Sequence, residues 1–124
     1  MSQMNKCDIL VLEDETLIGI DIRMTLEAAG YENVAVCSTI EGAIELIEKC
    51  EPKIGLLDIN LGRGMDSLPV AELLNERGKP IIFISGYTET TVQVPSALSN
   101  AGRLAKPFQS AELISIVERA LKDT

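Results

Sequence analysis

Short apolar runs alternate along the whole chain with stretches in which apolar residues recur every three or four positions. The first pattern suits buried strands and the second suits helices with one covered face, so the order predicts an α/β fold with a parallel sheet. The first strand is expected over about Asp8 to Leu12. In the helix that follows, Leu17, Ile20, Met24 and Ala28 recur at helical spacing until Gly30 supplies a C-terminal stop, and Asp14 is placed to cap its start. Val34 to Cys37 forms a second strand. Ser38 and Glu41 then have capping-box spacing ahead of the stripe Ala43, Leu46, Ile47 and Cys50, which Pro52 closes. A third strand runs from about Lys53 to Leu57, and Gly62-Arg63-Gly64 reads as a flexible loop. Pro69 fits the first turn of a third helix carrying Val70, Leu73 and Leu74 and stopped by Gly78. Pro80 to Ile84 is the fourth strand and Gly102 to Ala105 a short fifth. Ser110 is expected to cap a last helix that turns Leu113, Ile116, Val117, Ala120 and Leu121 to the sheet. Between the last two strands, Thr88 to Ala101 is a poor helix, because Thr88, Thr90, Thr91 and Val92 are β-branched and Pro95 removes a backbone donor. A short, displaced or mobile fourth helix is expected there.

Composition narrows the class. The 124 residues fit one domain, expected to span residues 1–124 with its core over about 6–122, and a chain of this size buries roughly two-thirds of its unfolded surface. Eleven basic against nineteen acidic residues give a net charge of −8, which opposes non-specific attraction to nucleic acid and to anionic membranes and points to protein partners. Cys7, Cys37 and Cys50 are an odd set without metal-ligand spacing, and the chain has no histidine to complete a zinc site. They read as small buried apolar groups in a reducing cytosol. No apolar stretch approaches the roughly twenty residues that span a bilayer, and Met1-Ser2-Gln3 does not begin a signal peptide. A cytoplasmic protein is expected. Lack of histidine also removes the commonest general base and any phosphohistidine of the chain's own.

The chemistry sits where strands end. Asp58 closes Ile54-Gly55-Leu56-Leu57, and Ile9-Leu10-Val11-Leu12 delivers Glu13 and Asp14. Ser85 and Lys106 likewise follow apolar strands. In an open parallel sheet the carboxyl ends share one edge, so these residues converge although they are far apart in sequence. Three carboxylates in one crevice repel one another unless a cation sits among them, which points to Mg2+. Asp14 and Asp58 are expected as direct ligands, Glu13 through water, and the carbonyl of Asn60 as a backbone ligand. Asp58 is the nucleophile for phosphorus, with Lys106 and the Ser85 hydroxyl on the phosphoryl oxygens. An acid after a strand also serves as an ordinary helix cap, so no one of these positions is specific alone.

Jointly, Glu13-Asp14, Asp58, Ser85-Gly86 and Lys106-Pro107-Phe108 resemble the receiver domains of two-component response regulators, over about Lys6 to Lys122. The resemblance implies a flavodoxin-like, doubly wound sheet of five parallel strands in the order 2-1-3-4-5 with five helices, and a cis Lys106–Pro107 peptide. It implies that Asp58 takes its phosphoryl group from a phosphohistidine of a sensor histidine kinase or a histidine phosphotransferase, with a downstream protein as the second partner. Two departures matter. Arg103 stands three residues before Lys106, where many receivers carry a switching Tyr or Phe, and Glu13 replaces the commoner Asp. Phe83-Ile84-Ser85-Gly86-Tyr87 is similar in part to the motif of the FATGUY receivers, mostly single-domain regulators without that ring. The expectation is a stand-alone, non-enzymatic switch whose partner surface is the Thr88 to Ala101 segment, strand five and the last helix, with Arg103 at its centre. The alternatives are a magnesium-dependent aspartyl-phosphate phosphatase of the haloacid-dehalogenase kind, which usually has a second acid where this chain has Asn60, and a phosphate sink without output. A flavodoxin-like cofactor binder is disfavoured because Glu13-Asp14 would repel a phosphate after strand one.

Overall fold

The structure is a computed structural model that describes residues 7–59, 61, 66–86, 95–98 and 100–122. Five parallel strands, β1 (Ile9–Leu12), β2 (Val34–Cys37), β3 (Ile54–Asp58), β4 (Ile81–Gly86) and β5 (Gly102–Lys106), form one sheet in the order β2-β1-β3-β4-β5. Every residue of β1 and β3 is buried, as expected of central strands covered on both faces. Alternation along the strands splits the core in two. Ile9, Val11, Ile54, Leu56, Ile82 and Ile84 pack under α1 (Thr16–Ala28) and α4 (Ser110–Lys122). Leu10, Leu12, Leu57, Ile81 and Phe83 pack under α2 (Ile40–Cys50) and α3 (Leu68–Glu76). Gly55 is needed in that second layer: a Cβ there would run into Leu74 Cδ1 of α3.

The described residues hold four α-helices and one 3-10 turn, Ser96–Leu98, rather than five helices. Pro95 stands immediately before that turn and accepts the Leu98 N–H at 2.9 Å, so this part of the β4–β5 connection is a tight turn and not a helix. The expectation of mobility over Thr88 to Ala101 falls largely outside the described residues, as do the Gly62-Arg63-Gly64 loop, Asn60 and Tyr87.

The largest correction concerns α1. The positions Leu17, Ile20, Met24 and Ala28 do recur at helical spacing, but they point to solvent; Leu17, Ile20 and Met24 are 82%, 46% and 63% exposed. The covered stripe is Gly19, Ile22 and Leu26 on the opposite side, with Ile18 partly buried. Gly19 lets the helix approach β2 so closely that a Cβ would lie 2.9 Å from Val36 Cγ1. Caps shift by a residue or vanish. Glu15, not Asp14, occupies the N-cap of α1 and makes no capping bond. Thr39, not Ser38, caps α2, its Oγ1 accepting from Gly42 N–H at 3.0 Å. Ser110 is already helical, and the Gln109 N–H before it donates to Glu112 Oε1 at 2.8 Å, half of a capping box. Gly30 and Gly78 end α1 and α3 with positive φ, as glycine stops do. Among the described residues no helix is long and apolar enough to cross a membrane.

Candidate functional site

Parallel pairing brings the strand ends to one edge. Leu12 is level with Leu57, and Asp58 with Ile84. The pairing continues past the strands, with Glu13 N–H donating to Cys37 O at 3.0 Å and Ile59 N–H to Ile84 O at 2.9 Å, so Glu13 and Asp58 sit on backbone still held by the sheet. β5 then delivers Lys106 opposite Gly86, one step beyond the Ser85–Ala105 pair.

Oxygens of Glu13, Asp14 and Asp58 lie within 4.8 Å of one another. Glu13 and Asp58 are buried, each 1% exposed, while Asp14 stands open to solvent. Lys106 Nζ enters the cluster, donating to Asp58 Oδ2 at 3.1 Å and pairing with Glu13 Oε1 at 3.2 Å, the latter without hydrogen-bond alignment. The Lys106–Pro107 peptide is cis. One ammonium does not neutralise two buried carboxylates. Burial pushes the Glu13 carboxyl up to about 7, helped by its hydrogen bond to Asp58 and the Asp58 charge, against the lowering effects of the Glu15 N–H and Lys106. Burial by itself would lower Lys106, but Asp58 and Glu13 more than offset it and hold the ammonium above the usual lysine value. The two shifts are consistent: Lys106 stays charged and Glu13 is the acid that gives way.

The cluster fits a hard divalent cation. Three carboxylate oxygens so close together, two of them on buried side chains, are the donor type that magnesium takes, and the exposed Asp14 leaves one flank open to water ligands. The structure brings Glu13, Asp14 and Asp58, the three acids singled out in the sequence, into one cluster. Ser85 is half-buried at the end of β4, and Asn60 lies outside the described residues. Glu15 is a contributor that the sequence reading passed over. Its N–H donates to Glu13 Oε2 at 3.1 Å and its carboxylate lies 3.7 Å from Lys106 Nζ. The run Glu13-Asp14-Glu15 carried the signal; only its first two members were used. Arg103 is exposed, with its guanidinium 6.0 Å from the centroid of the buried Phe83 ring, at the edge of cation–π range.

The family model of the response regulator receiver domain matches residues 9–118. The chain belongs to the response regulator receiver domain family. This receiver is 30% identical to the transcriptional regulatory protein PdtaR of Mycobacterium tuberculosis over 118 residues, covering 91% of the chain and 56% of that protein. It therefore spans about half the length of the curated relatives it matches. Among solved structures it is similar to the receiver domain of NtrX from Brucella abortus, with 31% identity, a TM-score of 0.81 and coverage of 94% and 100% of the two chains. It is also similar to SdrG from Sphingomonas melonis Fr1, with 33% identity, a TM-score of 0.75 and coverage of 98% and 97%. The five-stranded order 2-1-3-4-5 is the receiver's fold, as the resemblance implied.

Proposed function

We propose that Asp58 is the phosphoacceptor of a two-component relay, taking its phosphoryl group from a phosphohistidine on a histidine kinase or histidine phosphotransferase. The observation that carries this reading is a buried carboxylate at the end of β3 held 3.1 Å from an ammonium, with two further acids in the same cluster. An Asp58 oxygen attacks phosphorus, the P–N bond breaks, and the imidazole leaves with a proton from solvent. Glu13, Asp14 and Asp58 would hold magnesium, which when bound supplies positive charge against the approach of two anions. Lys106 exchanges its contact with Asp58 for the transferred phosphoryl oxygens, and the Ser85 hydroxyl donates to another. The exposed stripe Leu17, Ile20 and Met24 lies on the helix that starts at the acidic cluster, which supports α1 as the surface against which the donor docks.

The acyl phosphate adds about −1.5 to −2 charges at the sheet edge and shifts the loop ensemble towards one partner surface. That surface is β5, α4 and the neighbouring part of the β4–β5 connection, with the exposed Arg103 at its centre. Incubation with magnesium and a small phosphodonor, read by intact mass, tests the acceptor: the wild type gains one base-labile phosphoryl group and Asp58→Asn gains none. A wild type that stays unmodified removes the proposal. Sustained phosphate release from phosphomonoesters would favour the phosphatase alternative. Equal partner affinity with and without the phosphoryl group would leave only the phosphate sink.

A further inference from the structure

Lys106 faces a third carboxylate besides the two buried ones. Its ammonium lies 3.1 Å from Asp58 Oδ2, 3.2 Å from Glu13 Oε1 and 3.7 Å from Glu15 Oε1. Asp58 and Glu13 are enclosed, whereas the Glu15 side chain is 64% exposed. The backbone of Glu15 is held on both sides: its N–H donates to Glu13 Oε2 at 3.1 Å, and its carbonyl accepts the Gly19 N–H at 3.0 Å as α1 begins. Its side chain does something unusual for its place. Glu15 occupies the N-cap of α1, where a shorter Asp, Asn, Ser or Thr would bond the free N–H groups of the first turn, and it makes no such bond. The carboxylate reaches towards Lys106 instead.

We infer that Glu15 is a positioning residue for Lys106: its carboxylate holds the ammonium at the mouth of the site and competes for it with an incoming phosphoryl group. This rests on the reading of Asp58 as the phosphoacceptor. A phosphoryl group arriving at Asp58 needs the ammonium on its own oxygens, and Lys106, the last residue of β5, reaches Asp58 and Glu15 from one place. Of the three acids around the ammonium, Glu15 is the one that an arriving molecule can touch and whose side chain has solvent to swing into. While Lys106 is drawn towards Glu15, a small anionic donor meets a negative charge where it needs a positive one. Glu15 thus slows phosphoryl transfer from small free phosphodonors without taking part in the chemistry itself.

The test uses the full chain and two substitutions at this exposed position, neither of which removes core packing. Glu15→Gln keeps the length of the arm and removes its charge; Glu15→Asp keeps the charge and draws it back from Lys106. Acetyl phosphate with magnesium gives its phosphoryl group to Asp58 and leaves as acetate, and intact mass follows the labelling at low donor concentration. Both variants should label about two- to fivefold faster than the wild type, the range expected when an exposed ion pair is lost. Repulsion at the mouth without a contact would speed Glu15→Gln alone, so a Glu15→Asp rate equal to that of the wild type overturns the inference. NMR of the lysine side chains in EDTA reads the contact apart from any transfer: the Lys106 signal, assigned by its loss in Lys106→Met, should shift in both variants, and a signal that stays in place overturns the inference too. Labelling at equal rates in all three proteins removes the role of Glu15 and leaves Asp58 as the acceptor. If no protein is labelled although the Lys106 signal shifts, the phosphoacceptor reading falls and the competition falls with it.

Discussion

Glu13→Gln isolates the electrostatic cost of the acidic cluster. An amide keeps the size of the side chain and its ability to donate to Asp58, so it mimics protonated Glu13 at every pH. In the unfolded chain Glu13 ionises near 4.5, and in the folded chain near 7. Between those values the folded state binds more protons, so the contribution of Glu13 to stability is full below about 4.5 and is lost as pH rises through 7. At about 1.4 kcal/mol for each tenfold change in proton affinity the full effect is about 3 kcal/mol, the greater part of which falls between pH 5 and 8. Urea unfolding of wild type and variant in EDTA at both pH values measures it, because carboxylates outside the cluster contribute equally to both proteins and cancel. The advantage of the variant should grow by about 2–3 kcal/mol from pH 5 to pH 8. Magnesium at ten times its dissociation constant should return about 1.4 kcal/mol to the wild type at pH 8. An advantage that stays constant across this window would refute the argument that Lys106 leaves one buried acid without compensation.

Lys106→Met should cost about 3 kcal/mol at pH 8 and clearly less at pH 5, where Glu13 holds its own proton, and it should abolish acyl phosphate formation; paired urea titrations and intact mass check both. Gly55→Ala should destabilise by about 1–3 kcal/mol in thermal unfolding, since the new methyl meets a Leu74 side chain that is itself fully buried and has no free space to enter. Leu17→Ala combined with Met24→Ala should leave stability within about 0.5 kcal/mol, slow phosphotransfer from a protein donor by about tenfold or more, and leave labelling by a small phosphodonor unchanged. Equal slowing with both donors would remove α1 as the docking face.

Strand ends are legible in this sequence because a parallel sheet translates order directly into place: an apolar run followed by an acid or a lysine has only one edge at which to deliver it. Asp58 and Lys106 could thus be brought together across 48 residues of chain with no structural information. Helix faces are less legible. α1 carries apolar stripes on two opposite sides, and Leu17, Ile20 and Met24 on the exposed one are as large as Ile22 and Leu26 on the buried one. What decides the burial is Gly19, whose missing side chain admits Val36, and a hydrophobic pattern gives no weight to an atom that is absent. Caps were misplaced for a similar reason. Ser38 and Thr39 are equally competent acceptors, and only the backbone entering α2 selects Thr39. The ionisation of Glu13 was out of reach too, since it depends on how many carboxylates one ammonium must serve.

Asp58, Ser85 and Lys106 stand on the ends of strands, and the exposed stripe of Leu17, Ile20 and Met24 stands on the outside of a helix whose inner side does the packing. Substitutions at Leu17, Ile20 or Met24 can therefore accumulate without disturbing the geometry of the acidic cluster and its lysine. The proposed contact with a phosphodonor could thus be rewritten in evolution while the proposed chemistry is kept.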